Sequence, residues 1–137
     1  MELSTEMRDV LAAAADIFDG GVLELRTGAA PGANAADAGT LVASITLPTP
    51  WVSGPSNDGQ LVKAGTWEDA SANNAGTVGH FRIKQSGDGG GADATQERIE
   101  GSVTATSGGG DMEMDNVVVA SGQQVTVSSA TFTVPAS

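Results

Sequence analysis

The chain has 137 residues, enough for one domain with a single modest core. Its 17 Asp and Glu against 6 Lys and Arg leave a formal net charge of −11. That balance argues against nucleic acid, whose binders need basic residues to displace counterions, and against an anionic membrane surface. There is no Cys, so disulfides and thiolate metal sites are excluded.

The first element is a helix, expected from about Ser4 to Phe18. Met7, Val10, Leu11, Ala14, Ile17 and Phe18 recur at spacings of three and four, Ser4 or Thr5 can cap the start, and Asp19-Gly20-Gly21 ends it. Its apolar face needs cover, either from its own sheet or from a partner protein. From Val22 the period changes to two. Val22 to Thr27 places Leu23 and Leu25 on one face and Glu24 and Arg26 on the other, and residues 28–39 form a polar loop. Thr40 to Leu47 is a strand with Leu41, Ala43, Ile45 and Leu47 inward and Val42, Ser44 and Thr46 outward. Trp51 to Asp58 is a turn-rich stretch, and Leu61 to Glu68 is a weaker strand before a polar turn.

Val78 to Gln85 sets Phe81 and Ile83 against His80, Arg82 and Lys84. After the loop Ser86–Gly91, Arg98 to Thr106 carries Ile99, Val103 and Ala105 on one face. Met112 to Ala120 and Gln123 to Val134 complete about seven short strands joined by Gly-rich turns, with Val125, Val127, Phe132 and Val134 inward. The pattern implies a mainly β protein: a single β-sandwich with immunoglobulin-like layering and a short N-terminal α-helix. Residues 1–20 form the helical segment, packed on the domain or on a partner, and 21–137 the sandwich. Only five large aromatics are present, so the core is expected to be thin and to gain stability from neighbours. The acidic N-terminus lacks the basic region and apolar run of a signal peptide, so assembly in the cytoplasm is expected.

Little in the chain points to chemistry. His80 is the sole histidine, and a surface or interface role is the expectation; a serine triad would depend on it, yet no Gly-x-Ser-x-Gly elbow is present. Asp111, Glu113 and Asp115 alternate along one segment, a solvated acidic edge or a calcium site. The Asp88 to Asp93 segment resembles one copy of a calcium-binding repeat that works by repetition. The glycine loops 87–91 and 108–110 lack the helix and Lys of a phosphate loop. Trp51 and Trp67 suit core or interface packing, or stacking on a sugar. No enzyme, cofactor or metal is expected.

Three stretches carry a resemblance: Leu23–Pro31 continuing to Ala38–Leu47, Ala75–Ile83, and Ile99–Val103 continuing to Asp115–Val127. They resemble a group of small phage and prophage virion proteins that share the short helix, a Thr-Gly, Pro, Gly-Thr-Leu opening and a closing Gly-Gln hairpin of alternating Val and Thr. Arg26 and the 48–68 region depart from that pattern. The resemblance implies a capsid decoration (cement) protein on the virion exterior. Its partners would be the major capsid protein and neighbouring copies of itself, with neither nucleic acid nor membrane. A tail or neck adaptor and a carbohydrate-binding adhesion module are the alternatives. The expected partner interface is Met7, Val10 and Leu11 on the helix, with Trp51 and Val52.

Overall fold

A helix opens the computed structural model, which describes residues 1–56 and 59–135. α1 spans Thr5–Ala13, and a 3₁₀ segment, Ala14–Phe18, continues it. Ser4 caps α1, its hydroxyl accepting from Met7 N–H at 3.2 Å. The helical segment is tied down by polar contacts on its inner side. Gly59 N–H donates to Asp9 Oδ1 (2.7 Å), Arg8 Nε donates to Val134 O (2.8 Å), and Trp51 Nε1 donates to Ala15 O (2.8 Å).

Ten strands follow among the described residues: β1 (Val22–Thr27), β2 (Leu41–Thr46), β3 (Val52–Ser56), β4 (Gln60–Lys63), β5 (Glu68–Asp69), β6 (Gly76–Lys84), β7 (Arg98–Ala105), β8 (Met112–Met114), β9 (Val118–Val119) and β10 (Val125–Thr133). The chain is thus mainly β with one short N-terminal helix. Hydrogen bonding joins the strands in the order β2-β1-β6-β7-β8-β10-β4-β3, with β5 beside β10 and β9 beside β6. All pairs are antiparallel except β7 and β8, so the sheet is mixed. It curls: Ser44 on the β2 edge donates its N–H to Asp69 in β5, which itself pairs with β10.

The curl encloses one core, and all five aromatic rings meet in it. Trp51 stacks on Trp67 (centroids 5.8 Å, 21° between planes), and Phe18 meets Trp51 edge-on at 5.7 Å. Phe132 bridges Trp51 (5.5 Å) to Phe81 (5.9 Å). Aromatic pairs in such geometry add about 0.5–1.5 kcal/mol each beyond area burial. A core sparse in large side chains therefore concentrates them at one point.

Several expectations shift by a residue, and bulges are the reason. Val42, expected outward, is fully buried, because the β1–β2 register jumps between Leu25/Ala43 and Arg26/Leu41 and leaves Val42 as the extra residue. A second irregularity in β10, between Val127 and Ser129, brings Ala130 into the core after Val125 and Val127. Ala105, expected inward, is exposed at the end of β7. The stretch expected to be turn-rich contains β3, and Asp58 lies outside the described residues. The single strand expected over 61–68 is two short ones, separated so that Trp67 can turn inward.

Candidate partner-binding surface

What the surface offers depends on where the charges go. In the register of β1, β6 and β7, Glu24, Arg82 and Glu100 lie in one cross-strand row, and Arg26, His80 and Ser102 in the next. This face of the sheet reads as solvent-exposed from its polar alternation, yet it is buried. The loops 28–39 and 86–97 lie over it. Arg82 donates from Nη1 to Asp37 Oδ1 and Ala35 O (both 2.9 Å), from Nη2 to Gly32 O (2.9 Å) and Glu100 Oε2 (2.7 Å), and from Nε to Glu100 Oε2 (3.0 Å). All five guanidinium N–H groups are thereby used. Lys84 Nζ sits 3.1 Å from Glu24 and 3.2 Å from Asp37, and Arg26 reaches the same two carboxylates.

Arg98 makes the second clamp. Its Nε and Nη2 donate to the two oxygens of Asp88 at 2.6 and 2.7 Å, and Nη2 also donates to Gly91 O. The Arg98 hydrogen bond holds the Asp88 carboxyl down at about 2; burial opposes this, and the Gly90 N–H adds to it. The same pairing raises Arg98. Gly90, with a φ of 83°, is pressed against the Asp37 carboxylate, and a Cβ at Gly79 would run into the Gly28 carbonyl. Side chains at either position would lift the loops off the sheet.

Four of the six basic residues are therefore spent inside the molecule, each against a carboxylate. The net charge of −11 falls on the rest of the surface. The Arg82 and Arg98 guanidinium donors are all taken by protein oxygens, with none left for a phosphate.

His80 is part of the same buried face, which corrects the expectation of a surface histidine: it is 1 % exposed. Its Nδ1 lies 2.9 Å from Gly28 O, so that nitrogen carries the proton, while Nε2 is buried without a hydrogen-bond partner. Neither a serine hydroxyl nor a carboxylate is hydrogen-bonded to its ring among the described residues.

The acidic alternation of β8 is divided among separate local partners. Asp111 accepts from Ser102 N–H and Oγ, Glu113 from Gly109 N–H, and Asp115 from Thr106 Oγ1. Among the described residues no group of three His, Asp or Glu is placed to hold a metal ion. In the 88–93 segment, Asp88 is occupied by Arg98, and Asp93 accepts from the Thr95 hydroxyl and N–H, which lower its pKa.

The helical segment behaves in the opposite way. Its inner side is made of Ala12, Ala15 and Phe18, and the small alanines let it lie close to β3 and β4. Met7 (43 % exposed), Val10 (56 %), Leu11 (44 %) and Ile17 (43 %) face solvent as one stripe. The expected interface residues of the helix are thus accessible. Trp51, expected beside them, is not: it has no exposed surface, because the aromatic cluster consumes both ring faces. Val52 is half-buried at the start of β3. Trp67 is likewise fully buried, its Nε1 donating to Ala64 O at 3.0 Å, so neither indole offers a face to a sugar.

Beside the stripe runs an apolar groove of about 410 Å³ that sequence reasoning did not anticipate. Leu11 and Ile17 line it from the helical segment, Ile99 from β7, Phe132 from β10, and Val134 and Pro135 from the chain beyond. It exists because β10 pairs with β8 only through Ala130 and then turns to β4, while the lower half of β7 pairs only with β6. The two strands part there, and the opening lies beside the helix. Nothing in the local sequence marks that divergence. Comparison with known proteins finds no family model matching the chain, no significantly similar curated protein and no significantly similar solved structure.

Proposed function

We propose that this chain is a non-enzymatic structural protein of a tailed-phage particle, a decoration (cement) protein on the outer surface of the capsid shell. The observation that carries the reading is the exposed apolar stripe of the helical segment, set in a domain whose remaining surface is acidic. A contiguous apolar strip that its own sheet leaves open is the mark of an interaction surface. The resemblance of the strand and turn punctuation to small virion proteins supplies the setting. Within this reading the curled sheet serves as a two-layer sandwich with immunoglobulin-like layering; the support is that β1, β2 and β6 and also β8 and β10 contribute to one core.

Magnitudes suit a repetitive partner. Removing the exposed portions of Met7, Val10, Leu11 and Ile17 from water is worth on the order of 1 kcal/mol each. A sum of about 4 kcal/mol matches only the low end of the roughly 4–15 kcal/mol that association costs in lost freedom. One such contact is weak. Copies that also touch each other on a lattice gain by avidity, which suits a shell of many identical subunits. The acidic exterior holds unbound copies apart in solution.

Quantitative mass spectrometry of purified virus particles from the source of this sequence tests the reading. Abundance comparable to the major capsid protein is the expected result. A few copies per particle would transfer the protein to the neck or tail as an adaptor, and absence from particles would overturn the virion reading. The carbohydrate-binding alternative loses its motivating feature, since Trp51 and Trp67 are both buried.

A further inference from the structure

We infer that the opening between β7 and β10 is a strand-receiving slot: an extended segment of the partner enters it and bonds to both strands through its backbone. The inference rests on the reading of this side of the molecule as an interface and names how the partner is gripped. β8 has three residues, while its neighbours β7 and β10 have eight and nine. Asp111, just before β8, closes the head of the slot. Its carboxylate accepts from Ser102 N–H at 3.1 Å and its carbonyl from Thr131 N–H at 3.5 Å. The flanking strands there stand one strand apart, roughly 10 Å at ordinary sheet spacing. Beyond Asp111, no strand among the described residues pairs with either inner edge.

Backbone groups along a strand alternate in direction. Ser102 N–H points away from β6, to Asp111, and the β6–β7 register runs unbroken from Arg98 to Ser102. Glu100 and Arg98 therefore turn their N–H and C=O toward the slot as well. On β10, Val134 N–H goes to Gly59 O on the β4 side and Thr131 N–H to Asp111 O on the other, so Thr133 also faces the slot. Exposure agrees. The Glu100 and Arg98 side chains are 6 % and 1 % exposed, held in the charged network, yet both residues as wholes are only half-buried. What water reaches at these two positions is main chain. Thr133 is exposed outright.

Two open edges of amide donors and carbonyl acceptors call for another extended backbone. A lipid or a helix could fill an apolar groove but would leave these amides unmatched. The strands of a second copy are already paired in its own sheet, so the segment comes from a different chain. The groove of about 410 Å³ at the slot then selects along the strand. Its lining carries no charged residue, and Ile99 and Phe132 meet Leu11 and Ile17 there. Every second side chain of the incoming segment is accordingly apolar, and those between them are polar.

Hydrogen exchange of the full chain, read by NMR, tests the slot without any ligand. The Glu100 and Thr133 amides should exchange at least tenfold faster than those of Gly101 and Phe132, which bond to β6 and β4. Equal protection would mean that the slot is closed and would overturn the inference. The probe for the occupant is a displayed library of random eight-residue peptides, selected on the immobilised full chain. Expected is enrichment of alternating apolar and polar residues without a central Pro, whose missing N–H would break the ladder. Binding should slow exchange at Glu100 and Thr133 at least tenfold. N-methylation of either of two successive central amides should cut affinity at least tenfold, because one faces each flanking strand; this change leaves the protein itself untouched. No enrichment, or peptides that tolerate both methylations, would overturn the inference. So would protection of Glu100 and Thr133 that rises with protein concentration alone, since a second copy would then supply the strand. A closed slot in a protein abundant on particles removes the inference but keeps the virion reading. A working slot in a protein missing from particles does the reverse.

Discussion

Arg82 and Val10 occupy each other's expected places. Arg82 has no exposed surface, while Val10 in the helix is 56 % exposed. The outer face of β6 carries His80, Arg82 and Lys84 and is closed over by loops; the helical segment carries Met7, Val10, Leu11 and Ile17 and is open. The difference teaches that burial follows satisfaction and geometry, not polarity alone. The 28–39 loop brings two carbonyls and Asp37, β7 brings Glu100, and together they use every Arg82 donor, so the charge can be enclosed. The helical segment lies on the sheet through Ala12, Ala15 and Phe18, and Met7, Val10, Leu11 and Ile17 stay exposed.

Removing Arg82 should break this comparison most severely. Arg82→Ala strips the enclosed Glu100 of its ion-pair partner and leaves Asp37 to Arg26 and Lys84, and should cost about 3–5 kcal/mol. Urea unfolding followed by tryptophan emission measures it, since both indoles are in the core. Arg82→Lys should recover only part, because an ammonium cannot fill five fixed donor directions.

Arg98→Ala should cost less, about 1.5–3 kcal/mol, the range for hydrogen bonds to charged groups. The 86–97 loop should loosen, seen as faster hydrogen exchange at Gly90, whose amide donates to Asp88. The same pair sets an acid limit. Asp88 titrates lower in the folded chain, at about 2, than its ordinary 3.8, so its contribution is complete above about pH 4 and disappears as pH falls toward 2. Asp88→Asn should flatten that part of the stability profile between pH 4 and 2.

The smallest effect belongs to the helix. Val10→Asp and Met7→Ser should change unfolding free energy by no more than about 0.5 kcal/mol, as expected for exposed positions. A loss of several kcal/mol in either would mean that the stripe is packed on its own domain and would end its reading as an interface.

Much of the local structure was legible. The 3.6-residue period placed the helix, and alternation placed β1, β2, β6, β7 and β10 close to their observed bounds. The alternation also sorted Phe81 and Ile83 from Arg82 and Lys84 correctly by face. It went wrong at Val42, where a bulge inserted an extra residue, and bulges depend on the partner strand. Met7, Val10 and Leu11 were legible as a helix face needing cover; that Ile99, Phe132 and Val134 form a groove with Leu11 was not, since it forms only where β7 and β10 separate. The charged network had a faint signal in Glu24, Arg26, Arg82 and Lys84 on alternating strand positions. Their enclosure depended on loops whose composition speaks only of turns.

By itself the sequence determined the acidic balance, the β-rich architecture with one N-terminal helix, and an apolar helix stripe of fixed spacing. These follow from composition and from periods of 3.6 and 2 that the backbone imposes locally. Only the tertiary structure decided which faces were covered. Covering Arg82 required residues 32–37 and Glu100 to converge from distant parts of the chain, and leaving Val10 open required the helix to dock on its alanines. Both outcomes are contacts between segments far apart in sequence, and no local pattern encodes them.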